Sequence, residues 1–161
     1  MTIIAAQLTD CQDIFDLVNE AYEVEIGDDG LAFKNCARFS ALNEVEECLD
    51  NTWIIRDENG ILVGTVRAVS KEEGVIHVGP LAVRKSHQHQ GFGTKLVAFC
   101  ETLGPIISAW VASCRTDLIP WYSKMGYEEI RRFPQSKTPK ITRNDIEIIV
   151  MQKKTNFESK S

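Results

Sequence analysis

Apolar residues recur every three or four positions in two long segments of the chain, which predicts two amphipathic helices. In the first, Ile14, Leu17 and Val18 share one side. The second runs from Phe92 to Leu103 and stops at Gly104-Pro105, because proline cannot continue a helix. With two shorter helices added, the predicted set covers residues 10–22, 43–49, 92–103 and 118–124.

Alternating or continuous runs of β-favouring residues predict strands in most of the remaining chain. Asn59-Gly60 stands between two such runs and is the strongest hairpin signal in the sequence. A helix joins the fourth predicted strand to the fifth, so these two should be parallel and connected by a right-handed crossover. The expected strands are 3–6, 52–57, 61–69, 75–83, 106–113, 127–133 and 145–152. The order β-α-α-β-β-β-α-β-α-β-β indicates an α+β fold with a mixed, mostly antiparallel sheet flanked by helices.

Length and composition indicate one globular domain, which we assign to residues 1–154, with a polar tail at 155–161. The formal charge of −5 disfavours a nucleic-acid-binding surface. No apolar run approaches the ~20 residues of a membrane span, and no signal peptide is visible. The five cysteines show no paired spacing and no metal-site pattern, which favours reduced thiols. We therefore expect a cytoplasmic protein, or a nuclear one, with no metal and no membrane partner.

One short segment, VRKSHQHQGFGTKL at 83–96, departs from the acidic character of the chain. It contains three Lys or Arg and two His but no carboxylate, and it leads from a strand into a helix. Glycines and the N–H groups of a helix N-terminus together form an anion site, so a phosphate or pyrophosphate is the expected ligand. A Rossmann fingerprint is excluded because Leu96 stands where its third glycine would be. The alternative is that Gly91 and Gly93 only make a tight strand–helix connection.

Two motifs at consistent spacing resemble the GNAT N-acetyltransferase superfamily. The first is Val83 followed by Gln88-x-x-Gly91-x-Gly93, and the second is the segment 121–127, WYSKMGY. The strand order predicted above is also the GNAT order. Resemblance to this family implies a sheet splayed between the fourth and fifth strands. The chain departs from the family at Lys85, where a proline is common, and at Arg115, where many members have asparagine.

The resemblance also implies roles for residues of these motifs. The Leu81 N–H would face the acetyl oxygen, Val83 would pair with pantetheine, and Tyr122 would act as the general acid at the thiolate. Gly79-Pro80 supports a bulge in the fourth strand. Core packing is the alternative for Tyr122. The residues expected to bind the cofactor are Leu81, Val83, Gln88, His89, Gln90, Gly91, Phe92, Gly93, Thr94, Arg115 and Tyr122. Arg84, Lys85 and Lys95 are the candidates for contact with the adenosine phosphates.

The catalytic base is left open between His77, a carboxylate of the loop after the first helix, and water. His77 has a suitable ordinary pKa of about 6.5. In the fourth strand it is an even number of positions away from Leu81 and Val83. We therefore expect it on the same side of the sheet. The loop carries the acidic residues Glu23, Glu25, Asp28 and Asp29, which could bind a cationic amine or form a solvated surface.

The predicted function is N-acetylation of a primary amine by direct attack on acetyl-CoA, without a metal. The amine could belong to a small molecule, a peptide or a protein, and a homodimer is possible. The alternatives are a CoA-binding regulatory module without turnover and a small-ligand-binding domain whose glycines are structural.

Overall fold

The computed structural model describes residues 1–25, 38–134 and 145–158. Within these ranges the elements follow the predicted order. They are β1 (Ile3–Ala5), α1 (Cys11–Tyr22), α2 (Leu42–Glu46), β2 (Thr52–Arg56), β3 (Leu62–Glu72), β4 (Val75–Val83), α3 (Phe92–Cys100), β5 (Ile106–Ala112), α4 (Leu118–Lys124), β6 (Glu128–Pro134) and β7 (Glu147–Lys154). Asp28 and Asp29, two of the four acidic loop residues, lie outside the described residues.

The seven strands form one sheet in the order β1-β2-β3-β4-β5-β7-β6. All neighbours are antiparallel except β4 and β5, which are parallel as the intervening helix predicts. The pairing of β4 with β5 ends at Val78 and Ala109, whereas β5 remains paired with β7 as far as Ala112. The two parallel strands therefore diverge after Val78, which confirms the predicted splay.

Buried side chains form one cluster on each side of the sheet. On one side, here called the α3 face, Leu96 and Tyr122 pack against strand residues that include Val66. On the opposite side, the α1 face, Leu17 packs against residues that include Ile54. Because both faces are covered, the first five residues of β3 are all buried and show no alternation.

Strand β4 has two residues, Gly79-Pro80, where β3 has only one, Arg67. The extra residue makes the bulge that was predicted at this point, and it reverses the alternation of side chains along the strand. Leu81 consequently shares the α3 face with Val78. The prediction that His77 faces the same side as the residues after the bulge is wrong, because His77 lies on the α1 face.

Candidate active site

Helix α3 begins at the predicted glycine turn. Gly91 is its N-cap, with φ of 87°, a conformation that side chains with a Cβ rarely adopt. The first intrahelical bond joins the Lys95 N–H to the Gly91 carbonyl at 3.0 Å. The N–H groups of Phe92, Gly93 and Thr94 therefore have no acceptor within the helix, and the positive end of the helix dipole lies there too.

Side chains of the turn itself hold it in place. Gln88 Nε2 donates to the Val83 carbonyl at 3.0 Å, and Gln90 Nε2 donates to the Ser86 carbonyl at 3.3 Å. The Gln88 main-chain N–H points to the Lys85 carbonyl at 3.4 Å. The free amides of the turn are thus concentrated at its C-terminal end, beside the exposed His89.

A histidine links the turn to the β2–β3 hairpin. His87 Nε2 lies 3.2 Å from Asp57 Oδ2, and the His87 side chain is half-buried. Hydrogen bonds from the main-chain N–H groups of Ile61 and Asn59 and from His87 hold the pKa of Asp57 below its ordinary value. An ionised Asp57 is therefore available to fix the turn.

A cleft of about 290 Å³ extends from the glycine turn toward the splay. A smaller cavity of about 120 Å³ continues it between β4 and β5. The two share the walls Leu81, Val83, Gln88, Arg115, Leu118 and Trp121. A Cβ on Gly93 would meet Trp121 Cζ2 at 3.2 Å, so a residue larger than glycine would narrow the cleft.

The main-chain groups of Leu81 and Val83 point into the splay. Their carbonyls accept hydrogen bonds from the side chains of Tyr22 (3.3 Å) and Gln88 (3.0 Å), not from β5. In a strand, the N–H and C=O of one residue point to the same side. The Leu81 and Val83 N–H groups therefore face the cavity, as the resemblance implies.

Tyr122 lies in the wall of the smaller cavity and is 6% exposed. Its ring packs edge-on against Trp121 and Tyr127. Its hydroxyl has no hydrogen-bond partner among the described residues. Burial, together with the nearby Tyr22 and Cys100, raises the pKa of Tyr122 above the ordinary phenol value. The hydroxyl thus remains protonated and is available as a donor to a bound group.

Arg115 lines both the cleft and the smaller cavity. Its guanidinium makes two hydrogen bonds of 3.1 Å with the Asp117 carboxylate, which lower the pKa of Asp117. The pair fixes the guanidinium next to the N-terminus of α4. Arg115 therefore occupies the place predicted for the asparagine of other family members, but as a positive charge.

The other basic candidates differ in what they contact. Lys85 Nζ lies 2.5 Å from the Glu23 carboxylate, and the Lys85 N–H donates to Glu20 Oε2 at 2.9 Å. Arg84 Nε donates to the Leu62 carbonyl. Lys95 is exposed and has no carboxylate partner among the described residues, with Nζ 5.5 Å from the Phe92 ring.

His77 lies outside the residues that line the cleft and the cavity. Its ring packs edge-on against Trp110, with centroids 5.0 Å apart. Burial, with Lys71 and Arg67 nearby, lowers the pKa of His77 to about 4. It is consequently neutral at pH 7.

Two aromatic residues of the cavity were missed in the sequence. Tyr22 ends α1, and Trp110 lies in β5 beyond its pairing with β4. Each fits its element as a packing residue, so the sequence gives no separate signal. Only the splay, which opens β5 at Trp110, makes these side chains part of a cavity.

Among the described residues, no three His, Cys, Asp or Glu side chains are placed to hold a metal ion. Of the helices in those parts of the chain, none has the length and apolar character needed to cross a membrane.

A comparison with known protein families shows which family contains these elements. The model of the acetyltransferase (GNAT) domain matches residues 49–129, half of the chain. The chain belongs to the GNAT acetyltransferase family. The matched residues of this GNAT domain include β4, the glycine turn, α3, β5 and α4, which are the elements that form the cleft. No curated protein sequence matches the chain.

Solved structures share the fold of this GNAT domain over nearly its whole length. A ribosomal-protein-alanine N-acetyltransferase from Brucella melitensis superposes with a TM-score of 0.74 at 18% identity, covering 96% of this chain and 99% of that one. For yncA from Salmonella typhimurium, solved with its cofactor acetyl-CoA, the score is 0.72 at 18% identity, with coverage of 100% and 97%. An aminoglycoside 6′-N-acetyltransferase complexed with coenzyme A scores 0.73 at 20% identity, with coverage of 96% and 97%. At these identities the similarity establishes the fold.

Proposed function

We propose that this GNAT domain transfers the acetyl group of acetyl-CoA to a primary amine, and that residues 1–154 form the single catalytic domain. The observation that carries the proposal is the continuous cleft. At one end it has the free N–H groups of the α3 N-terminus, and at the other the Leu81 and Val83 N–H groups that β5 leaves unpaired. The first set suits a pyrophosphate and the second suits an amide and a carbonyl oxygen.

The residues present fit acetyl-CoA. The main chain at Gly91–Thr94, joined by the side chains of His89 and Gln90, would hold the pyrophosphate. Gly93 leaves room beside Trp121 for the molecule to pass. Of the basic candidates, Lys95 is the one we assign to the adenosine phosphates, because Lys85 is paired with Glu23. Arg115 would contact the pantetheine arm from the other wall.

Acetyl-CoA, when bound, supplies a thioester whose acetyl group passes to the amine as the C–S bond breaks, with one proton lost by nitrogen and one gained by sulfur. The Leu81 N–H would stabilise the charge that develops on the acetyl oxygen. Tyr122 would donate its hydroxyl proton in a hydrogen bond to the departing sulfur. Since burial raises the pKa of Tyr122, this phenol would stabilise the departing thiolate as a hydrogen-bond donor and would not ionise itself, so the thiolate would take its proton from solvent.

Removal of the amine proton is the step for which His77 was predicted. With a pKa near 4, His77 is a neutral acceptor but a weak base. Its place on the α1 face beside Trp110 is consistent with a route through a bridging water. Glu23, a loop carboxylate that was also a candidate base, forms an ion pair with Lys85. We therefore propose water, with His77 as its acceptor, as the path for this proton.

A thermal melt with acetyl-CoA, followed by a thiol-release assay with an amine panel, tests the proposal. At 100 times its dissociation constant, acetyl-CoA should stabilise the protein by about 2.7 kcal/mol, and thiol release should require an amine. Stabilisation without amine-dependent release would indicate the CoA-binding regulatory module instead. Absence of stabilisation at saturating acetyl-CoA would contradict both functions.

A further inference from the structure

Beyond the cofactor cleft, three aromatic side chains around the α1-face mouth of the splay each have a cation over the ring. The distances to the ring centroids are 5.7 Å for Arg38 and Tyr22, 5.5 Å for Lys71 and Trp110, and 5.5 Å for Arg131 and Phe133. The Trp110 and Phe133 rings are themselves 5.1 Å apart in an edge-on arrangement. We call these six residues the aromatic–cation patch.

The patch borders the place where an acceptor must reach the acetyl group. Tyr22 and Trp110 line the same cavity as Tyr122. Trp110 is nevertheless 45% exposed, so one side of its ring is accessible. An acceptor entering from the α1 face would therefore lie against these rings.

The cations of the patch have no carboxylate partners among the described residues. Arg38, Lys71 and Arg131 take part in no ion pair there. Arg67, next to the patch on β3, has a buried Nε without a hydrogen-bond partner. Several other basic side chains of the described residues are paired, namely Arg56 with Asp10, Lys85 with Glu23, Arg115 with Asp117 and Lys153 with Glu101. Within the described residues, a protein with a net charge of −5 thus carries three cations without ion-pair partners in this patch.

Lys71 of the patch and the neighbouring Arg67 also act on His77. After burial, Lys71 and Arg67 are the causes of its lowered pKa, and among the described residues no carboxylate opposes them. The same field would repel a polycationic acceptor and attract an anionic one. It would also favour the neutral form of an amine, which is the form that attacks a thioester.

We infer that the acceptor of this GNAT domain is an amine that also carries a carboxylate on an aromatic or apolar frame, and that the aromatic–cation patch binds it. The frame would pack on Trp110 and the carboxylate would lie near Lys71. This inference rests on the proposed function for turnover but not for binding, which depends only on the patch.

The test uses 4-(aminomethyl)benzoate and 4-(aminomethyl)benzamide, which have the same ring and the same amine and differ in the charge of one group. With the full chain and saturating acetyl-CoA, we expect kcat/KM to be roughly tenfold or more higher for the benzoate. The preference should shrink in 0.5 M salt, at which exposed charges are screened beyond ~4 Å. Lys71→Gln should remove most of the preference, and the exposed α4 substitution Lys124→Gln should leave it unchanged.

Calorimetric binding of both probes, without acetyl-CoA, separates this inference from the proposed function. Tighter binding of the benzoate by the wild-type protein but not by Lys71→Gln supports the patch even if no thiol is released. Equal or tighter binding of the benzamide, a preference for spermidine, or a benzoate preference that survives Lys71→Gln overturns the inference.

Discussion

Replacing Tyr122 with phenylalanine removes one oxygen atom from the wall of the splay cavity and leaves the ring and its packing in place. Because the hydroxyl has no partner among the described residues, its loss breaks no hydrogen bond of the fold. We expect the free energy of unfolding to change by less than about 0.5 kcal/mol. A hydrogen bond to a charged group contributes about 1.5–3 kcal/mol, so its loss at the thiolate should lower kcat by roughly 10- to 150-fold.

Tyr127 offers a matched control in the same aromatic cluster. Its ring centroid is 5.3 Å from that of Tyr122, but its hydroxyl donates to Glu101 Oε1 at 3.2 Å. Tyr127→Phe should therefore lower the free energy of unfolding by about 1–2 kcal/mol while kcat stays within about twofold. The assays are steady-state thiol release at saturating acetyl-CoA and thermal or urea unfolding. If Tyr122→Phe loses stability and keeps its rate, the hydroxyl has a packing role and our assignment is refuted.

Two further variants test the turn and the buried histidine. Gly91→Val forces a β-branched residue to φ of 87°. We expect it to weaken acetyl-CoA binding tenfold or more by calorimetry and to cost about 1–2 kcal/mol in strain. Gly74→Val, at φ of 76° in the β3–β4 turn, should show the strain and unchanged binding. The folded-state pKa of His77 lies below its ordinary value of 6.5, so its contribution to stability is present above pH 6.5 and lost as the pH falls toward about 4. His77→Gln should therefore reduce the dependence of the melting temperature on pH over that interval. If the dependence is unchanged in the variant, another titrating group causes it.

The fold could be predicted from the sequence because each element carries a strong local signal. The hairpin at Asn59-Gly60 and the helix that stops at Gly104-Pro105 depend on residues a few positions apart. The two GNAT motifs then predicted the cofactor side; Gly91 has a positive φ, and Gly93 lies close to Trp121. These local signals need no knowledge of distant contacts.

The acceptor side could not be predicted in the same way. The alternation of side chains along a strand predicted that His77 and Leu81 share one face of the sheet. This alternation holds only where the strand pairing is regular, and the extra residue at Gly79-Pro80 moves Leu81 to the opposite face. Trp110 and Tyr22 have ordinary apolar positions in their elements, and only the divergence of β4 from β5 brings them to a cavity. Glu23 and Lys85 form an ion pair although they are 62 positions apart in the sequence. A local sequence pattern cannot predict such a contact.

Because of the bulge in β4, the two halves of this strand present their odd-numbered side chains to opposite faces of the sheet. Before Gly79, odd-numbered positions such as His77 lie on the α1 face; after Pro80, odd-numbered positions such as Leu81 lie on the α3 face. Under the proposed function, a substitution at His77 would act on the acceptor side and leave the Leu81 and Val83 N–H groups in place, and the reverse would hold for Leu81 and Val83. If acceptor preference changes among related chains, we expect the substitutions in β4 to lie before Gly79. The residues after Pro80 should vary less, because the proposed acetyl-CoA site uses them in every such chain.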